Sequence, residues 1–227
     1  NGATTFLDIY VVGITPTIPF FVLPLTNSNI KTAVDDWIYN SNTATITYGV
    51  INVWDVSNIT NMSNLFKDKY SFNDDISDWD VSNVTTMNNM FHGAISFNQD
   101  IRCWNVSNVT TMNNMFNRAI VFNQDIRIWN VSNVINMDNM FNRAIAFNQD
   151  IRIWNVSNVT TMNNMFNRAI VFNQDIRIWN VSNVINMDNM FNRAITFLDN
   201  YVVGITPTIP FFVLPLTNNN INAAVEA

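Results

Sequence analysis

Residues that carry most enzyme chemistry are scarce in this 227-residue sequence. It contains one cysteine, Cys103, and one histidine, His92, so acid–base and thiol mechanisms have few candidates. It has no Ser/His/Asp set, no Gly-rich phosphate loop and no Cys/His cluster at metal-ligand spacing. We therefore expect no enzyme activity, no catalytic residues, no bound metal and no cofactor.

Charged side chains are also few. They make up 12% of the residues, about half the usual share, and the formal net charge is −6. Nucleic-acid binding needs a basic stripe to displace counterions from phosphate, so we expect no nucleic-acid partner. Asparagine fills 42 of the 227 positions, and short amides can bridge neighbouring turns of a stacked repeat.

The single cysteine excludes an internal disulfide. Cys103 shares its repeat position with Ile128, Ile153 and Ile178, which predicts a small buried hydrophobic residue. His92 shares its position with Asn and Lys, which favours the surface. The apolar run 10–25 is short and contains three prolines, so we expect no membrane span.

A strict 25-residue repeat organises the chain. Six tryptophans recur at this interval: Trp54, Trp79, Trp104, Trp129, Trp154 and Trp179. We call each repeat a coil. Coils three and five are identical over all 25 positions, and coils four and six agree from Trp129 and Trp179 onward for 17 residues, so a 50-residue period overlies the shorter one.

Two hydrophobic periods alternate within a coil. Met112, Met115, Phe116 and Ala119 show the i, i+3, i+4, i+7 spacing of a short amphipathic helix, preceded by Thr or Asn as an N-cap. Trp104 and Val106 alternate with polar residues, as in a strand. The pattern predicts an α/β solenoid: a leucine-rich-repeat-like stack in which each coil has a short parallel strand and a short helix. In this stack we expect the six tryptophans to line one buried column, with the helical Met-x-x-Met-Phe segments on the opposite side.

Polar columns fit such a stack. The Ser-Asn pair of each coil can satisfy backbone groups of a neighbouring coil. Asp125 and Arg127 recur at the same interval, and we expect crossed pairing between their two columns because like charges repel within each one. Calcium binding by the aspartates is the alternative, but calcium-binding coils use Gly-rich turns and this chain has only five Gly.

The repeat W-D/N-V-S-N-V-T-x-M-x-x-M-F…F-N-Q-D-I over residues 54–197 resembles the bacterial surface protein repeat. That repeat also occurs in mycoplasma lipoproteins, as the DUF285 repeat, a relative of BspA-like leucine-rich repeats. The resemblance extends to a leading cap, residues 25–37 followed by 44–54. It implies a leucine-rich-repeat-like solenoid on the surface of a cell or particle, with roles in adhesion or surface structure.

Departures from the repeat cluster in coil one and early coil two. A ligand face is one interpretation, and a first coil altered to face a cap is the other. The candidate ligand-face residues are Lys67, Lys69, Tyr70, Asp74 and Asp78.

The two ends of the sequence also repeat. Residues 1–36 match 192–227 at 28 of 36 positions, a register of 191 residues. The sequence starts at Asn1 partway through a coil, so we expect the natural chain to begin earlier and to contain tandem units. We predict four segments: a connector at 1–24, a cap at 25–53, the six coils at 54–197, and a second connector with the start of a next unit at 198–227.

The connectors are apolar and spaced by proline, and we expect them to mediate contacts between units; the alternative is that both are simple caps and the protein is a monomer. The candidate self-association residues are Tyr10, Ile18, Phe20, Phe21, Tyr201, Ile209, Phe211 and Phe212. The sequence thus favours an extracellular, cell-surface or virus-particle structural protein that forms a filament or coat. The alternative is an adhesin that binds a host or neighbouring surface protein, or a glycan, through the face of the stack.

Overall fold

The computed structural model of the protein describes residues 22–201. Two helices, α1 (Ile30–Tyr39) and α2 (Ser41–Tyr48), precede a 3-10 turn at Ile51–Val53. A third helix, α3 (Ile195–Tyr201), follows the sixth coil. Between these elements the coils consist of turns and extended single residues.

The predicted α/β solenoid is wrong. The described part of the chain contains no β-strand; adjacent coils meet at single parallel bridges. The bridging residues are the Thr and Asn that we predicted as N-caps, and the pairs are Asn61–Thr86, Thr86–Thr111, Thr111–Asn136, Asn136–Thr161 and Thr161–Asn186. The segment 113–118, predicted to be helical, is a series of turns.

Backbone hydrogen bonding explains the missing helix. In coil three the amides of Asn114 and Phe116 donate to carbonyls of the next coil, at 2.8 and 2.9 Å. The intervening amides of Met115 and Asn117 close tight turns onto residues three positions earlier. An α-helix needs bonds to the residue four positions earlier, and the positive φ of Asn114 (57°) also ends any right-handed helix at that point.

The core consists of stacked identical side chains. All six repeat tryptophans are buried, as we predicted, and Trp154 and Trp179 stack at 6.5 Å between ring centroids. The phenylalanines form two further columns, so that Phe116 lies 5.6 Å from its equivalent Phe141. Phe116 also lies 6.3 Å from Trp129, so the phenylalanine and tryptophan columns are in contact within the core.

Asparagine amides connect the coils, which confirms the expected bridging role. The Nδ2 of Asn133 donates to the carbonyl of Ser107 in the preceding coil at 2.8 Å, and every coil from the second onward repeats this bond. A second ladder runs through Asn148. Its Oδ1 accepts from the amide of Asn173 at 2.8 Å and from the Nε2 of Gln174 at 2.9 Å. Buried backbone donors are thereby satisfied without charged groups.

The helices at the N-terminal side cover coil one. Trp37 of α1 and Tyr48 of α2 each pack edge-on against Trp54, both at 6.0 Å. The Oδ1 of Asn27 accepts from the amides of Thr60 (3.0 Å) and Asn61 (3.1 Å). In later coils the amide equivalent to Thr60 donates to the preceding coil, so Asn27 supplies the acceptor that a preceding coil would supply.

We predict that Trp129→Ala lowers the free energy of unfolding by about 3–5 kcal/mol, because it removes a large buried aromatic side chain from the middle of the core. The matched control is Ile128→Ala, since Ile128 is 64% exposed; its effect should stay within about 0.5 kcal/mol. Denaturant titration measures both changes. If both variants lowered the free energy of unfolding by the same amount, the tryptophan column would not be a major source of stability.

A second prediction concerns the asparagine ladder. Asn148→Ala should cost about 1–3 kcal/mol, because it leaves the amide of Asn173 without its acceptor. Asn148→Asp keeps an oxygen in that position and should cost less. Denaturant titration at neutral pH compares the two variants, and an aspartate variant as unstable as the alanine variant would show that the acceptor oxygen does not matter.

Candidate functional site

The two residues with the most reactive side chains occupy unremarkable positions. Cys103 is exposed, so the prediction that it is buried is wrong. Its equivalents, the isoleucines at 128, 153 and 178, are 64–73% exposed, because the turn that contains them faces outward while Ile101 and its equivalents fill the core. His92 is half-buried, and desolvation lowers its pKa.

No metal site or membrane span is found in the part of the chain that the structure describes. Residues 22–201 bring no three His, Cys, Asp or Glu side chains together in a group that could hold a metal ion. None of the helices within the same residues is long and apolar enough to cross a membrane.

The aspartate and arginine columns pair with each other, as expected: each ion pair lies within one coil, and the arginine of the preceding coil also helps to lower the pKa of Asp150 and of Asp175. Each arginine folds back onto the aspartate two residues earlier, and the N–O distances are 2.6, 3.3, 2.9 and 2.7 Å in successive coils. The hydrogen bond from Arg152 lowers the pKa of Asp150 to about 2. This column of ion pairs is therefore neutralised by its own residues.

The candidate ligand face is divided between the cap and solvent. Lys69 forms an ion pair with Asp35 of α1 at 2.5 Å, and the carboxylate of Asp74 accepts from the indole nitrogen of Trp37 at 2.8 Å. Both therefore hold the cap on coil one. The remaining three candidates, Lys67, Tyr70 and Asp78, are exposed. Whether a ligand binds there stays a prediction.

The candidate self-association residues lie outside the described part of the chain. Tyr10, Ile18, Phe20, Phe21, Ile209, Phe211 and Phe212 fall in segments 1–21 and 202–227, and Tyr201 is described only as the last residue of α3.

An open groove of about 590 Å³ runs along coils three to five. Its lining repeats two positions of each coil: Asn108, Thr110, Asn133, Ile135, Asn158 and Thr160. The asparagine amides and threonine hydroxyls donate to carbonyls of the preceding coil. The groove is therefore uncharged, and its hydrogen-bond donors are already used within the stack.

A second arginine column escaped the sequence analysis. Its members are Arg118, Arg143, Arg168 and Arg193, one in each coil from the third to the sixth. Among residues 22–201 none of the four forms an ion pair, although each is exposed or half-exposed. The absence of an acidic residue two positions earlier distinguishes this column from the paired one, and that signal is visible in the sequence.

A family model described as "Mycoplasma protein of unknown function, DUF285" matches residues 36–142 and 122–203. The chain belongs to the DUF285 family. The match confirms the family suggested by the W-D/N-V-S-N-V-T repeat, and it includes most of the cap and all six coils of this DUF285 protein. No curated protein matches the chain.

The ion-pair column gives a prediction for acidic pH. Asp150 should titrate with a pKa of about 2 in the folded protein, and Arg152→Gln should raise this pKa toward the ordinary value of about 3.9. Because folding lowers the pKa, the stabilisation is complete above about pH 4 and is lost as the pH falls through about 2.

Carboxyl-detected NMR titration measures the Asp150 pKa. Arg143→Gln is the matched control, since Arg143 makes no ion pair with Asp150, and it should leave the pKa unchanged. A pKa near the ordinary value in the unmodified protein would contradict the pairing within coils.

Proposed function

We propose that this DUF285 protein is a non-enzymatic structural protein whose units join head to tail. The sixth coil of one unit would lie against the capped N-terminal end of the next, where, within residues 22–201, carbonyls of coil one stay unpaired beside the cap. The joined units would form a fibre or coat. The resemblance of the coils to bacterial surface protein repeats supports a location on the surface of a cell or particle.

The open side of coil six is the observation that carries the proposal. In coil five the amides of Met162 and Asn164 donate to the next coil, both at 2.8 Å. The equivalent amides in coil six, of Met187 and Asn189, have no acceptor within residues 22–201. The side chain of Met187 is only half-buried, whereas Met162 is fully buried. Coil six therefore presents unpaired donors beside an apolar surface.

Coil one presents the complementary groups. The carbonyls of Thr86 and Asn88 in coil two accept amides of coil one. The equivalent carbonyls of Asn61 and Ser63 in coil one accept no hydrogen bond from the described residues. Donors at one end and acceptors at the other cannot pair with copies of themselves, so contact between units is heterologous and propagates. The 191-residue register supports the same arrangement within one longer chain.

A binding module is the second candidate, and the column of arginines at 118, 143, 168 and 193, which form no ion pair among residues 22–201, favours it. Such a module would hold a protein or glycan along the face of the stack. An adhesin of this kind needs no contact between units, so the state of association separates the two functions.

We predict that the intact 227-residue chain associates with increasing concentration and that Met187→Asp weakens the association, because it places a charge on the apolar open side of coil six. Ile178→Asp is the matched control, since Ile178 is 73% exposed on the outer surface. Sedimentation velocity over a range of concentrations measures association, and circular dichroism verifies that both variants fold. A concentration-independent monomer would rule out head-to-tail joining of separate chains.

A further inference from the structure

The arginines of this protein form two columns, one in which each arginine is paired with an aspartate and one in which it is not. Those at 102, 127, 152 and 177 each have an aspartate two residues earlier and pair with it. Those at 118, 143, 168 and 193 have no carboxylate within ion-pair distance among residues 22–201. The unpaired column contains half of the arginines in a chain with a net charge of −6.

Backbone geometry does not explain arginine at these four positions. Their φ angles lie between 60° and 62°, in the left-handed region that favours Gly, Asn and Asp. Coils one and two have Asp68 and Gly93 at the same position, with φ of 57° and 70°. Aspartate or glycine therefore fits this turn at least as well as arginine does.

Packing and ion pairing do not explain the arginines either. The guanidinium groups reach solvent, and repulsion from Arg193 and Arg143 lowers the pKa of Arg168. Like charges stacked one coil apart raise the energy of the folded state, and a bound anion on each guanidinium would remove that repulsion.

The stack fixes the spacing of these charges. The amides of Arg118, Arg143 and Arg168 each donate to the next coil at 2.8 Å, so the arginines follow the coil spacing. Parallel pairing sets the backbone spacing at about 4.8 Å, and equivalent rings of neighbouring coils lie 5.6–6.5 Å apart in the core. The four positive charges therefore follow one line along the stack, one in each of coils three to six. An extended polymer that carries many carboxylates can contact several of them at once.

The residue before each arginine adds hydrogen-bonding capacity. The Nδ2 groups of Asn117, Asn142 and Asn167 donate to an asparagine three residues earlier, at 2.8–3.0 Å. Their Oδ1 atoms accept no hydrogen bond within residues 22–201. Coils three to five therefore each carry, on consecutive residues, an amide oxygen that can accept from a hydroxyl and a guanidinium that can bind an anion. A sugar acid has both complementary groups, hydroxyls and a carboxylate.

We propose that Arg118, Arg143, Arg168 and Arg193 bind an extended acidic polysaccharide that runs along the stack and carries one carboxylate on each sugar. This inference gives the binding-module alternative a ligand class and does not depend on head-to-tail assembly. It differs from nucleic-acid binding, which needs a broader basic surface than one line of four charges.

Fluorescence anisotropy with labelled galacturonate oligomers of two to eight sugars tests the proposal on the intact chain at low salt. Affinity should rise with length, because a longer oligomer brings carboxylates to more of the four arginines. The triple variant Arg118→Gln, Arg143→Gln, Arg168→Gln should weaken binding by about tenfold or more. Added salt should weaken binding of the unmodified protein.

The matched control is the triple variant Arg102→Gln, Arg127→Gln, Arg152→Gln. It removes the same number of positive charges from the paired column and should weaken binding by less than about threefold, since only screened long-range effects remain. Circular dichroism verifies the fold of both proteins. The single variants Arg143→Gln and Arg152→Gln repeat the comparison with a smaller change if either triple variant unfolds.

Several results would overturn the proposal. They are no binding by the unmodified protein, equal losses in the two triple variants, equal affinity for the uncharged methyl ester of the oligomer, or tighter binding of polyglutamate or single-stranded DNA. Because these measurements use separate units below the concentration at which they associate, their failure leaves the head-to-tail proposal standing, and failure of assembly leaves this one standing.

Discussion

Alternate backbone amides of each coil donate to carbonyls of the next, as Asn114 does to Asp138 and Phe116 does to Met140. This register determines which side chains meet, because residue i of one coil then lies beside residue i+25. Indole therefore stacks on indole and phenyl on phenyl, and the core is a set of columns of identical groups. A coil alone contains only tight turns and cannot bury its apolar side chains, so its stability comes from its neighbours.

The same register makes a repeated charged residue unfavourable. A charged residue repeated in every coil faces its own equivalent at about 4.8 Å, where like charges repel. The low charge content and the abundance of asparagine follow from this constraint, since an amide can donate to one coil and accept from the other. Asparagine side chains link successive coils in this way. The Oδ1 of Asn73 accepts from the backbone amide of Asn98 in the next coil, and the Oδ1 of Asn98 accepts from the backbone amide of Asn123 in the coil after that.

The sequence predicted the repeat, the buried tryptophans and the bridging asparagines, because strict spacing specifies the columns. It did not predict the local backbone. The spacing of Met112, Met115 and Phe116 is that of a helix, yet two consecutive tight turns also place residues three and four apart on one side. The distinguishing signal is the asparagine equivalent to Asn114, which is present in every coil and has a left-handed backbone conformation in each. Pairing between the Asp125 and Arg127 columns was predicted, but the choice of the aspartate in the same coil was not, because a flexible arginine side chain can reach either partner.

Near-identical coils restrict what the surface of this protein can recognise. A unique pocket requires residues that occur once, and here such residues lie mainly in coil one, where Lys69 and Asp74 already hold the cap. Every other outward position recurs along the stack, so a ligand that uses it must itself repeat, as a polymer or a second array does. Columns that are satisfied internally, such as the Asp–Arg pairs and the groove asparagines, offer little to such a ligand. Within residues 22–201, the repeated groups that stay unpaired include the arginine column along the side and the backbone groups at the ends. These two places are where a repeating partner gains the most, since no contact within the protein has to be broken first.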